Sequence, residues 1–200
     1  MLKNTLVAAA AFAVICVCAT PVAAEPDAAP AAETEAPVEG ASTFGALADL
    51  VGTRWRGEPG DADKEQGQPA DYSEWYWDLG GTVLVNRHVL EDGSYGGVTY
   101  IQKTRATGVL SYVYVTSANF RTMGDMMLNE DGTWTAEEDV QGIPNIVKVR
   151  STGLMGADGV LSSVSEFLGD DGEWSPGHTF RYTQTDAPLP MLVPSGKAPG

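Results

Sequence analysis

The sequence predicts an all-β protein: an antiparallel, meandering β-barrel of about ten strands, entered through one short N-terminal helix. Three observations predict it. Short stretches in which apolar and polar residues alternate recur at hairpin spacing over residues 53–185. Asp-Gly pairs at 92–93, 131–132, 158–159 and 171–172 punctuate them as turns. Between the stretches no helical pattern is long enough to carry a parallel crossover. Many amphipathic strands in one meander can bury one face and lose their edges by closing on themselves. A two-sheet sandwich is the other arrangement such strands allow.

The chain is organised around residues 43–58, TFGALADLVGTRWRGE. Phe44, Leu47, Leu50 and Val51 fall at helical spacing behind a Ser42/Thr43 cap, and Gly52 ends the turn. Two turns cannot bury their own stripe, so this helix is expected to plug a larger sheet. The period then changes: Thr53, Trp55 and Gly57 alternate with Arg54, Arg56 and Glu58, as in a half-buried strand. A polar loop over 57–70 follows. Residues 71–79 alternate Ser73, Trp75, Trp77 and Leu79 against Tyr72, Glu74, Tyr76 and Asp78, and Gly80-Gly81 turns the chain.

Strands are expected at 82–91, 95–104 and 109–116, with Asp92-Gly93 as a type I′ hairpin pair and Thr107-Gly108 as the next turn. A weaker strand at 120–128 contains Gly124, and strands at 133–140, 145–152, 160–168 and 179–185 complete the set. Glu130 to Trp134 and Asp170 to Trp174 look alike. Neither has the alternating acids and distal Glu of a calcium loop, so each reads as a turn followed by a core tryptophan.

Outside the strands, composition gives an address. Residues 1–24 read as a secretory signal: Lys3, an apolar run over 6–18, and small residues at Val22-Ala23-Ala24 for cleavage before Glu25. Its removal takes away both cysteines, Cys16 and Cys18, and with them disulfide or thiol chemistry. Residues 25–43 are an Ala/Pro/Glu linker and 187–200 a Pro-rich tail, both of disordered composition; 44–186 is one domain. The protein is therefore expected in the periplasm or secreted, with no stable membrane insertion after cleavage. A net charge of −15 disfavours nucleic acid and anionic lipid as partners. Oligomeric state has no signature in the chain.

Trp55-Arg56-Gly57-Glu58, preceded by Leu50-Val51-Gly52-Thr53, resembles the opening of calycin-type barrels: lipocalins, fatty-acid-binding proteins and nitrobindins. With Glu74-Trp75-Tyr76-Trp77 and Leu79-Gly80-Gly81, the chain looks most like exported bacterial lipocalin-like domains. The resemblance implies a binding barrel. Nitrobindin-like barrels hold haem through a His near their C-terminal end, which makes His178 a candidate axial ligand. The late arginine of lipocalins is matched in order by Arg181, which alternation with Phe180 and Tyr182 points outward.

The residues themselves name a candidate lining. His178 shares a face with Phe180 and Tyr182, and these, with Trp75/Trp77 and Tyr112/Tyr114, would face one interior near Trp55. The tryptophans can stack on a flat ligand, and filling the barrel core is their commoner use. His88 has ambiguous parity and is expected to be solvated or satisfied by hydrogen bonds. No G-x-S-x-G, H-E-x-x-H or phosphate loop occurs, so no catalytic residue and no cofactor follow from motifs. The leading expectation is a binding module for a small, mostly apolar ligand. The other readings are the haem barrel, a lipocalin-fold cyclase or isomerase using a cavity Tyr or Glu, and a packed structural barrel.

Overall fold

The structure is a computed structural model that describes residues 44–105 and 107–193. The expected signal (1–24) and linker (25–43) lie outside the described residues. Ten strands form one closed antiparallel barrel: β1 (Arg54–Pro59), β2 (Asp71–Asp78), β3 (Val83–Leu90), β4 (Gly96–Lys103), β5 (Leu110–Thr116), β6 (Arg121–Leu128), β7 (Thr133–Gln141), β8 (Ile146–Met155), β9 (Leu161–Gly169) and β10 (Trp174–Gln184). Each pairs with its neighbour in sequence, and β10 closes on β1 with Trp55 opposite Gln184 and Gly57 opposite Tyr182. Closure leaves no unpaired edge. Arg181 is exposed on the outer face.

The opening helix forms as a 3₁₀ helix, Gly45–Leu50. At three residues per turn, positions i, i+3 and i+6 lie on one line. Phe44, Leu47 and Leu50 have that spacing, and each is 2–3% exposed. Val51 falls off the stripe and is only half-buried. Gly52, at φ +78°, turns the chain into β1 and donates its N–H to Trp75 O. The stripe packs into one end of the barrel against Trp55, Leu84, Ile101, Leu110, Tyr112, Met126, Ala136 and Leu161. This is the hydrophobic core, and it sits at one end rather than midway.

Four local features differ from expectation. The polar loop after β1 contains a helix, α1 (Asp61–Glu65). β10 begins five residues early, at Trp174, with a bulge between Pro176 and Thr179. In the Asp-Gly turns only the glycines, among them Gly93 and Gly132, take positive φ. A type I′ turn needs positive φ at both residues, so Asp92-Gly93 is not the expected type I′ pair: it lies in a four-residue loop closed by Leu90 N–H to Tyr95 O, whereas the loops 130–132, 157–159 and 170–172 have three residues with glycine in the left-handed position. Asp92 and Asp131 instead accept the N–H two residues on, from Ser94 and Thr133. Trp134 packs inward against the core, but Trp174 lies on the outer wall beneath Arg150, 4.2 Å from the guanidinium carbon to the ring centre.

Residues 187–193, read from composition as tail, run extended along the outer wall. Thr185 N–H bonds Arg54 O, and Val193 N–H bonds Gly93 O at 2.9 Å. Leu192 approaches Gly96 beside Val89, which is fully buried although it faces outward.

Candidate functional site

Cross-strand registry fixes which side chains share the interior. One row runs Trp55, Ser73, His88, Gly97, Thr116; the next runs Trp75, Asn86, Thr99, Tyr114, Thr122, Val140. The inward residues divide by depth. Near the plug they are closed in: Leu84, Ile101, Leu110 and Met126 are all buried. At the other end the inward Val140, Val149, Ser151, Ser165, Phe167 and Phe180 are only half-buried. The barrel is thus stoppered at one end and accessible to water at the other.

The eight residues named from sequence divide between these halves. Trp55 and Tyr112 are buried in the plug cluster, with Trp75, Trp77 and Tyr182 packed against it. Trp55 Nε1 donates to Thr53 Oγ1 at 2.7 Å, and Trp77 meets Phe44 edge to face. Trp75 Nε1 is buried and has no hydrogen-bond partner among the described residues. Tyr114, His178 and Phe180 face the accessible half.

That half holds a polar chain that sequence reasoning did not assemble. His88 points inward: Nδ1 lies 2.9 Å from Asp71 Oδ1 and Nε2 lies 2.7 Å from the Tyr114 hydroxyl. Tyr114 in turn touches the hydroxyl of Tyr95, which comes from the β3–β4 loop. The second carboxylate oxygen of Asp71 accepts the Tyr182 hydroxyl at 2.9 Å. Asp71 is 3% exposed, and its two carboxylate oxygens are engaged by His88 and Tyr182. Phe120, from the β5–β6 loop, stacks on Tyr95 at 6.3 Å and meets Tyr114 edge on. Gly97 leaves room for the Tyr114 ring; an added Cβ there would sit 2.3 Å from its Cε2.

Burial, chiefly, pushes the Tyr95 phenol up to about 12. Burial and then neighbouring groups, Asp71 among them, hold Tyr114 and Tyr182 well above their ordinary value. All three phenols therefore keep their protons at neutral pH and act as neutral hydroxyls.

A second carboxylate lies inward on β7. Glu138 meets the Thr122 hydroxyl, and Tyr112 lies beside it; burial raises its carboxyl above the ordinary value despite those hydroxyls.

His178 sits at the accessible rim, its ring near Phe167 (5.8 Å) and Phe180 (6.5 Å). The shared face read from sequence is therefore present, although the bulge interrupts the strand. Its Nδ1 lies 2.9 Å from Asp63 Oδ1 on α1, and Asp63 Oδ2 accepts Thr179 N–H at 2.9 Å. Asp63 is 7% exposed, whereas the His178 side chain is half exposed. Burial opposes ionisation of Asp63, but the Thr179 N–H and His178 outweigh it and hold the carboxyl below its ordinary value.

As a metal centre the interior offers little: among the described residues no three His, Cys, Asp or Glu side chains group as metal ligands. A surface depression of about 640 Å³ lies outside the wall, against Val83, Tyr100, Val113 and Asp125, and does not open into the polar chain. The arrangement inside can stack an apolar guest on aromatic walls and orient it with hydroxyls and an imidazole. No protein-family model matches this sequence, and no curated protein matches it.

Proposed function

We propose that the protein is an exported carrier of lipocalin-like type that holds a small, mostly apolar ligand inside the barrel, in the periplasm or outside the cell. The burial gradient along the inward faces carries this reading. A barrel that served only as a packed scaffold would close its interior equally at both ends, whereas here valine, serine and phenylalanine side chains facing inward remain half-buried. The unpartnered indole N–H of Trp75 supports it, since a buried donor without a partner costs about 1–3 kcal/mol that a ligand oxygen would recover. Native mass spectrometry of protein purified from its own cell envelope tests the proposal. A small-molecule mass that leaves on denaturation is the expected result. The bare chain alone, together with no binding of the neutral dye N-phenyl-1-naphthylamine, would overturn it.

A second reading, haem, draws on the Asp63–His178 pair. An axial imidazole commonly passes its other N–H to a carboxylate, which fixes its orientation. Asp63 would fill that role at Nδ1, His178 would hold the group through its other ring nitrogen, and Phe167 and Phe180 would supply apolar wall beside it. Hemin added to wild type and to His178→Ala separates the outcomes: a sharp Soret band lost in the variant supports haem, and equal, broad spectra exclude it.

A further inference from the structure

The loop between β3 and β4 lies at the accessible end of the barrel, and its last residue, Tyr95, turns inward. The hydroxyls of Tyr114 and Thr116 hold the Tyr95 side chain from within, and Phe120 of the β5–β6 loop stacks on its ring. The loop closes on itself through Leu90 N–H to Tyr95 O, Gly93 N–H to Leu90 O and Ser94 N–H to Asp92 Oδ1. Its two ends are tied to the barrel, Glu91 N–H to Ala70 O and Gly96 N–H to Ser117 Oγ. Residues 92–95 are therefore a small unit slung between two fixed points.

On the outside the same unit meets the returning segment 187–193. Val193 N–H bonds Gly93 O at 2.9 Å. The approach is close: a Cβ added to Gly93 would fall 2.4 Å from Met191 O, and one added to Gly96 would fall 3.1 Å from Leu192 Cδ2. Yet the segment is lightly held. Pro188 and Pro190 have no N–H to give to a ladder, and Met191 and Val193 leave most of their apolar surface in water. Segments with few buried contacts and exposed backbone bonds open at low free energy while the rest of the fold stays closed. The wall beneath is a continuous ladder of ten paired strands.

We infer that residues 187–193 are a clasp on the accessible end: bound at Gly93 they hold residues 92–95 in place with Tyr95 inside, and their release lets this loop swing out and admit a ligand. The inference rests on the reading of the barrel as a ligand carrier. Because the clasp lies on the outer wall, it acts on passage in both directions rather than on the fit of the guest.

Two substitutions in the full chain provide the test. Val193→Pro removes the N–H given to Gly93, and Leu192→Ser removes the apolar contact beside Val89. Hydrogen exchange read by NMR should quicken about three- to tenfold at the Gly93 and Ser94 amides, the worth of one hydrogen bond, and stay unchanged at Ile101 and Val113 in mid-strand. Stopped-flow fluorescence with N-phenyl-1-naphthylamine should show association and dissociation both faster by a similar factor, at nearly constant Kd. Unchanged exchange at Gly93 and Ser94 overturns the clasp. Exchange that quickens throughout the barrel overturns it too, because the segment is then one more part of the global fold. Faster loop exchange with dye rates at the wild-type value overturns the gate and leaves the carrier reading standing. If the dye does not bind at all, the carrier reading falls and the gate with it, and the exchange data tell that failure from a failure of the clasp.

Discussion

The ring of Tyr182 occupies the space that a side chain at position 57 would need: a Cβ added to Gly57 would fall 2.4 Å from Tyr182 Cε1. Gly57 and Tyr182 are directly opposed where β1 meets β10, at the seam that closes the barrel. The same ring carries the hydroxyl that donates to Asp71. Glycine here is therefore a matter of close approach rather than of backbone freedom.

Gly57→Ala should accordingly destabilise the protein by about 1–3 kcal/mol, the range of overpacked sites. Tyr182→Ala in the same chain should recover part of that loss, because the clash partner is gone. Denaturant melts of the two single variants and the double variant measure the coupling. Losses that add without interaction would show that the ring does not depend on the glycine.

Trp55 anchors the closed end. It is 5% exposed and shares the core cluster with Leu47 and Leu50 of the plug. Trp55→Ala should cost about 3–5 kcal/mol. A thermal melt is the check, and an unchanged midpoint would remove Trp55 from the core.

The strands were legible because their signals are local: alternation, and an Asp-Gly pair in each of four turns. The plug was legible too, since Phe44, Leu47 and Leu50 repeat at the 3₁₀ period, although the eye reads them as α. The polar chain was not. His88 sits on a strand that is apolar on both faces, because Val85 is flanked outside by Tyr76 and Tyr100, and Val89 lies beside Leu192 of the returning tail. With both faces covered, alternation does not tell inward from outward. Asp71, His88, Tyr114 and Tyr182 then meet only through registry across β2, β3, β5 and β10. Helix α1 was missed for a related reason: DADKE carries no apolar stripe, and Asp63 bonds groups more than a hundred positions away, with a separation of 115 to His178. Trp134 and Trp174 follow look-alike turns, and only the pairing, with Gly153 and with Leu168, sends one in and the other out.

Asp63 ties α1 to β10, and its depressed pKa sets the sign of a pH effect. Such a group contributes stability above the unfolded carboxyl value, about 4, and loses it as pH falls through the lower native value. Asp63→Asn should therefore cost about 1–3 kcal/mol at pH 7, through the charge-assisted bonds to Thr179 and His178. The gap to wild type should narrow below pH 4. Urea melts at pH 7 and pH 3 check it, and a gap that does not change with pH would contradict it.

Glu138 has the opposite sign. Burial holds its carboxyl above the ordinary value, so the native state keeps the proton at a pH where the unfolded chain has released it. Stability should therefore fall as pH rises from about 4 through the native value, because deprotonation then charges a buried carboxyl. Glu138→Gln keeps the shape and a carbonyl oxygen for the Thr122 hydroxyl, and its amide can donate to a neighbouring hydroxyl oxygen. The substitution should stabilise the protein at pH 7.5 by about 1 kcal/mol, roughly 3 °C in melting temperature for a domain of this size. Near pH 4, where wild type is also neutral at this position, the two proteins should melt together. Scanning calorimetry across pH 4 to 7.5 distinguishes this from a simple loss of contact, which would destabilise the variant at every pH. A variant less stable than wild type throughout would mean that the Glu138 bonds to Thr122 and Tyr112 outweigh the cost of burying its charge.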